Sequence, residues 1–450
     1  MTPSTTPEAA ETAETAEAPE ISPLESNPLR ASKSALVLVG FAAFASMMSM
    51  RACDSILPLL ANEFAVTPGV AAQTMSAFAI AYGALQFFYG PLGDRLGKLR
   101  VMAVAVSICA VANLLIALAP SLELMTLGRA LAGIGGAGII PLSIALVGDS
   151  FEYERRQEAL SRLMVVTITG LIAGQWIGGL IAEWAGWRAL FLGLAAGFLA
   201  ITLPLRWATR DQSRRSSSLA ALSDQSNPDN IPPGIAHPSM VRQIQRLIRL
   251  RWARRVLAVV AIEGGFAFAT LSFIPVFLHD EFGLSITWAG AVMALFGLGG
   301  LVYTGFSKAL IRNLGERGMA IVGGCAIGAA MGLVAFGPRW EWAAAGCLLG
   351  GGGLYMMHNT LQANASQLLP QIRGTSVSLF AACFFIGQSV GVAIEAWAID
   401  QGAAREIFIA AMIALPLLGL WFGQGLRVRD AWQLEDGVHD GPRAHQMLRD

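Results

Sequence analysis

Charge is scarce in this chain. Asp, Glu, Lys and Arg make up 14% of its 450 residues, where a soluble domain carries about 25%. Mean hydropathy is +0.56 and 54% of the residues are hydrophobic. The balance is that of a polytopic membrane protein, not of a soluble globule. Net charge is missing too. Thirty-one basic residues offset 31 acidic ones, so bulk electrostatics argues for no nucleic acid and for no acidic partner. Cysteine is sparse: Cys53, Cys109, Cys325, Cys347 and Cys383 all lie in apolar segments, with no CxxC pair. They read as small buried packing residues rather than metal ligands or disulfide partners. No Gly-x4-Gly-Lys-Ser/Thr loop offers a nucleotide site. No nucleophile–base pair or metal cluster supports an enzyme, and no cofactor is implied. No basic n-region precedes a short apolar core, so the first apolar stretch, from Ala35, is expected to stay as a membrane span.

What the chain has instead is long apolar runs, each of the roughly 20 residues that cross a bilayer. One set is predicted near 35–62, 70–91, 100–119, 124–147, 162–184 and 188–206. A second falls near 255–279, 286–311, 318–337, 341–365, 374–398 and 404–423. Residues 1–33, rich in Pro, Ser, Thr, Ala and Glu, cannot bury enough apolar surface to fold and read as a disordered tail. The expected organisation is that tail, a bundle over 34–206, a polar central loop over 207–254, a second bundle over 255–423 and a tail over 424–450. The end of the loop, Met240 to Arg255, alternates Arg with Ile, Leu and Val. That pattern fits a basic amphipathic helix on the membrane surface or a solvated basic linker.

Placement of the basic residues gives an orientation. With the N-terminus inside, Arg95, Lys98, Arg100, Arg155, Arg156, Arg206, Arg210, Arg214, Arg215, Lys308, Arg312, Arg317, Arg373, Arg427 and Arg429 fall at cytoplasmic ends, whereas Arg188, Arg339 and Arg405 fall outside. This satisfies the positive-inside rule and puts both termini and the central loop in the cytoplasm. The halves also repeat. Asn62-Glu63-Phe64 matches Asp280-Glu281-Phe282, and 281 − 63 = 218; Gly97 matches Gly315 at the same offset. Arg188-x-x-Phe191 matches Arg405-x-x-Phe408 with a one-residue slip. Six spans separate the matched segments, so the halves are parallel repeats with the substrate expected between them near mid-membrane.

Four runs carry a family likeness. Gly90-Pro91-Leu92-Gly93-Asp94-Arg95-Leu96-Gly97-Lys98-Leu99-Arg100 is similar to the Gly-x-Leu-x-Asp-Arg-x-Gly-basic signature that joins helices two and three of the major facilitator superfamily. Arg129-Ala130-Leu131-Ala132-Gly133-Ile134-Gly135 resembles that family's Arg-x-x-x-Gly-x-Gly run in helix four. Cys53-Asp54-Ser55-Ile56-Leu57-Pro58 looks like its Asp-and-Pro motif in helix one. Gly170-x-x-x-Gly174-Gln175-x-x-Gly178-Gly179 is similar to its helix-five antiporter signature, with Gln175 standing where the signature has Pro. The resemblance covers nearly all of 35–423. It implies an all-α polytopic membrane protein of two pseudo-symmetric six-helix bundles, twelve transmembrane helices in all. It also implies the drug:proton antiporter branch.

The likeness suggests gating roles. Gly90 and Gly97 bracket the charged turn, and Asp94, Arg95, Lys98 and Arg100 can latch the cytoplasmic ends of the two halves together; a purely topological basic loop is the alternative. Gly170, Gly174 and Gly178 share a face, with Gly179 beside it, and can pair with Gly297, Gly299 and Gly300 of helix eight to seal the external side.

Buried charge is the other signal. Arg51 and Asp54 share a face of helix one, Asp54 roughly 28 Å from Ala35 at 1.5 Å per residue. Arg129 lies at comparable depth in helix four. Charges at this depth cost several kcal/mol unless paired or facing water. An Asp54–Arg129 contact is expected, with Arg51 as competitor; the group is a proton site or a fixed ion pair. Glu263 lies roughly 13 Å into helix seven, with no basic partner evident in that helix and Gly264-Gly265 beside it. It reads as a proton carrier or as a hydrogen-bonded structural carboxylate. Tyr355, His358, Asn359 and Gln362 of helix ten, with Tyr82, Gln86, Gln175 and Trp176, are the expected substrate cavity or a packing network.

Together these readings point to a monomeric inner-membrane exporter of a small amphipathic molecule, driven by protons and surrounded by membrane lipid. A proton-coupled importer on the same fold is the alternative, and a non-transporting membrane sensor the remaining one.

Overall fold

The computed structural model describes residues 33–151, 153–223 and 240–435. Of the tail expected over 1–33, all but Lys33, which opens the first helix, lies outside them, as do the middle of the central loop and the last residues. Twelve long helices follow in order: α1 (Lys33–Glu63), α2 (Gln73–Leu96), α3 (Lys98–Ala117), α4 (Leu122–Ser150), α5 (Tyr153–Ala185), α6 (Trp187–Ser223), α7 (Arg251–Phe282), α8 (286–314), α9 (316–336), α10 (Trp340–Ala365), α11 (Arg373–Asp400) and α12 (Ala404–Glu435). There is no strand among the described residues. Nine described helices are long and apolar enough to cross a membrane, one of them being Ile286–Phe336. That helix is two spans divided at Gly315. The less apolar α2 and α10 complete the twelve; they carry Gln86 and the polar face of His358, Asn359 and Gln362.

Three ends differ from expectation. α6 runs on to Ser223 and α12 to Glu435, because neither Gly nor Pro interrupts the polar helix formers after Leu205 or after Gly425. The basic segment after Met240 is two elements. A short helix, Met240–Arg249, buries Leu247, and Leu250 turns extended (φ −71°, ψ 131°) before α7 begins. Cys325 is exposed and Cys383 half-buried, so only Cys53, Cys109 and Cys347 are the buried packing residues expected of all five.

The repeat is physical. Glu63 pairs with Arg188 inside the first half, and Glu281 with Arg405 at 2.6 Å inside the second. The two turns at Gly97 (φ 90°) and Gly315 (φ 63°) use the same positive-φ backbone. At φ 63°, ψ 174° Gly315 occupies a region open to glycine alone. Gly315→Ala should therefore cost about 1–3 kcal/mol, read as a lower melting temperature of the purified protein beside an unchanged one for Gly374→Ala, where a Cβ meets no atom.

The halves touch through α2 against α11 and α5 against α8. Both described ends of the chain lie on one side, the tail side; the other is the far side. Contacts between halves run from the far side to the middle: Ser76 with Ser389, the Tyr82 ring 4.3 Å from Phe385, Ile172 against Gly297 and the Gln175 carbonyl against Gly290. Nearer the tail side a Cβ on Gly90, Gly305 or Gly374 would meet nothing within 4 Å. The cross-half contacts named here lie on the far side and at mid-depth, the pattern expected of a form open to the tail side.

Candidate functional site

Three buried polar groups stand out, one across the halves and two within the second half. In the first, Arg51 Nη1 donates to Asp54 Oδ2 at 2.9 Å and to Ser272 Oγ at 3.1 Å, and the guanidinium lies 4.6 Å from the Phe268 ring centroid. Asp54 and Ser272 are 218 apart, the repeat offset, and Ser272 Oγ is 3.5 Å from Asp54 Oδ2. Residues related by the pseudo-twofold touch only near its axis, so this cluster marks the axis. The expected Asp54–Arg129 contact is absent. Arg129 instead donates to the backbone oxygens of Ser49 (2.8 Å) and Met50 (3.2 Å) and stacks 4.4 Å from the Phe78 ring. Arg51 prevails because its spacing of three along α1 fits the carboxylate without bending either helix. Arg129 clamps α1 to α4 through main-chain carbonyls.

In the second group, Glu263 is fully buried and its Oε2 lies 2.8 Å from His358 Nδ1 of α10. The basic partner missing from helix seven thus comes from helix ten. His358 packs 5.1 and 5.4 Å from the Phe384 and Phe380 rings. Glu263 Oε1 has no hydrogen-bond partner among the described residues. Directly after Glu263 the helix widens into a π turn over Gly264–Phe268, a local departure frequent at functional sites. Gly264 and Gly265 allow it: a Cβ on Gly264 would overlap the Phe384 carbonyl of α11. In the third, Glu395 of α11 accepts from Thr270 Oγ1 at 2.6 Å. Nothing in the spacing of α7 announces the π turn, and the partners Ser272, Phe268 and Thr270 are ordinary apolar-helix residues in sequence.

The gates differ from expectation. Asp94 is exposed, 3.7 Å from Lys98 in its own half, and Lys98 Nζ sits 2.5 Å from Asp149 Oδ2. The bonds of Asp94 and Lys98 stay within the first half, so these two side chains do not form the latch to the second half expected of Gly90, Asp94, Arg95, Gly97, Lys98 and Arg100. Gly170 and Gly174 pack on α1, against the carbonyls of Phe44 and Met48, and Gly178 faces Leu190. They do not meet α8. The α5–α8 seam is made instead by Ile168 and Ile172 against Gly297, and by Gln175 and Gly179 against Gly290 and Ile286. Gly299 and Gly300 take α10. The face shared by 170, 174 and 178 is turned away from the one that carries 168, 172, 175 and 179, at 100° per residue.

Of the expected cavity residues, Tyr82 packs on Phe385 at the inner end of the opening, and Gln86 holds a buried, unpartnered Oε1 among the described residues. Gln175 is buried in the seam, with its carbonyl accepting from Ser55 at 2.8 Å. Trp176 is nearly half exposed. Tyr355 packs on Gly300; Asn359 is half-buried and Gln362 exposed. A groove of about 860 Å³ opens at the tail-side end of α1, α4 and α5, with Val37, Phe41 and Phe44 on its walls and Arg155 and Arg162 on its rim. Its lining comes from the first half alone, so it is not the substrate cavity expected between the halves.

Comparison with known proteins decides the family. The model of the Major Facilitator Superfamily matches residues 39–392. The chain belongs to that superfamily. It is a membrane transporter and not an enzyme. Over 75% of its length and 82% of the relative's it is 27% identical to an uncharacterised MFS-type transporter, YceJ, of Bacillus subtilis. Over shorter stretches it is similar to multidrug resistance protein D of Escherichia coli, 31% identical over 33% of this chain and 38% of that one. It also resembles the multidrug efflux pump LfrA of Mycolicibacterium smegmatis, 29% identical over 38% and 35%. Two solved structures share the fold. The nucleoside transporter NupG superposes with TM-score 0.70 over 86% of this chain and 98% of that one, at 12% identity. A bacterial homologue of the lysosomal transporter Spinster, inward-facing and unoccupied, superposes with TM-score 0.68 over 93% and 100%, at 16% identity.

Proposed function

We propose that this superfamily member exports a small amphipathic molecule in exchange for protons, with Glu263 and His358 as the proton-carrying pair. The observation that carries the reading is the buried carboxylate with one oxygen on an imidazole nitrogen and the other unpartnered, at the mouth of a π turn. A proton arriving there changes the charge shared by α7 and α10, two helices of the half that must rock against the first. Arg51, Asp54 and Ser272 then hold the axis, with Asp54 the second candidate for the proton. Kinship in sequence to proteins named as drug-efflux pumps supports export. The basic residues collected on the tail side support a cytoplasmic tail side in the inner membrane.

Reconstituted protein screened against a panel of amphipathic dyes, with and without an imposed pH gradient, tests the reading. Dye movement opposite to the proton flux supports it; movement with the protons marks an importer and overturns it. Asp94→Asn belongs to the same assay. Its carboxylate is exposed beside Lys98 of its own half and available when the tail side closes, so the variant should fold normally and turn over roughly tenfold more slowly, as one lost charge-assisted bond implies. An unchanged rate at equal protein level removes the latch from the cycle.

A further inference from the structure

Glu183 and Asp400 occupy matching places at the far side. Each lies within the last turn of an interface helix, α5 or α11, and each reaches into the other half. Glu183 Oε2 accepts from the backbone N–H of Thr287 at 2.7 Å. Asp400 Oδ1 accepts from the backbone N–H of Gly69 at 2.9 Å, and Oδ2 from Thr67 Oγ1 at 2.7 Å. The donors are related by the repeat, since 287 − 69 = 218, and the acids follow it with the one-residue slip seen at Arg188 and Arg405. The setting repeats as well. Thr67 Oγ1 accepts from Val70 N at 3.2 Å and Ser285 Oγ from Trp288 N at 3.5 Å, so each carboxylate meets the turn that a hydroxyl already caps. The fit at Gly69 is flush: a Cβ would overlap the Ala396 carbonyl and the Asp400 carboxylate.

We propose that Glu183 and Asp400 are a two-part far-side gate, each holding the other half's backbone while the tail side is open and both releasing when the transporter opens outward. The chemistry demands release. Opening the far side parts α5 from α8 and α2 from α11, and an N–H···O bond does not survive beyond about 3.5 Å. Two carboxylates placed symmetrically about the axis resist the rocking motion evenly, which one alone would not. None of the family-like runs contains either acid. The proposal rests on alternating access and is independent of which group carries the proton.

Spin labels at Leu118 and Glu341, exposed on the far side of opposite halves, and at Ser161 and Ile311, exposed on the tail side, report the two openings in the full-length protein in liposomes. In Glu183→Gln/Asp400→Asn the far-open population should rise about tenfold, since a neutral amide keeps shape but loses the charge-assisted part of each bond. The tail-side pair should close in step, and each single variant should give part of the shift. Gly69→Ala keeps both acids and wedges the same seam, so it should shift the distances the same way and guards against a double variant that fails to fold. Distances in folded variants that match the unsubstituted protein overturn the gate, as does a shift in one single variant only. A shifted population alongside unaltered coupling in Glu263→Gln leaves the gate standing and overturns the proton pair.

Discussion

Glu263→Gln abolishes proton-driven transport and spares exchange. Gln preserves the length of Glu and can still meet His358, but it cannot take up and release a proton. Uptake into everted vesicles driven by a pH gradient should fall to its gradient-free level, while substrate exchange in proteoliposomes without a gradient should stay within about twofold, because binding and rocking need no titration. Survival of driven uptake would move coupling to Asp54. Loss of both activities together with the folded protein would make Glu263 a structural carboxylate. Glu263 is 0% exposed, so no bulk water substitutes for the lost proton site.

Arg51→Met should be strongly destabilising. It leaves Asp54 buried without the guanidinium 2.9 Å away, and breaking a buried pair from one side costs about 3–5 kcal/mol. Arg51→Met/Asp54→Asn removes both charges and should be more stable than Arg51→Met alone, since the residual carboxylate and not the missing arginine is the main cost. Thermal melting in detergent, read by size-exclusion of the heated protein, measures both. Additive losses would mean that the two side chains act separately. Arg129→Ala should couple to Asp54→Asn more weakly than Arg51→Met does, because Arg129 bonds the carbonyls of Ser49 and Met50 rather than the carboxylate.

Much of the architecture was legible because it rests on patterns of long range in the sequence. The twelve apolar segments, the 218-residue offset and the paired glycines at 97 and 315 all reappear as helices, matching ion pairs and matching turns. Contacts across helices were not legible in the same way. Arg51 and Arg129 both had the depth to reach Asp54, and only side-chain geometry separates a neighbour one turn away from a helix that faces the backbone. His358 was visible as a polar residue of helix ten and Glu263 as a lone acid of helix seven, but no spacing within either helix says that they meet. The glycines at 170, 174 and 178 gave the correct small face and the wrong neighbour. A small residue states that something comes close, not which helix it is. The π turn after Glu263 depends on how α11 presses on Gly264, which is a property of the packed bundle. Nothing in the sequence marks Glu183 or Asp400, since their donors are backbone groups that any sequence supplies.

Proton movement measured directly tests the central claim. Everted vesicles carrying the transporter are given a pH gradient, a pH-sensitive dye reports it, and a transported amphipathic dye of different colour is then added. The unsubstituted protein should dissipate the gradient on addition, and Glu263→Gln should not, although it binds the same compound. Equal dissipation by both proteins, or transport with no proton movement in either, would contradict the account.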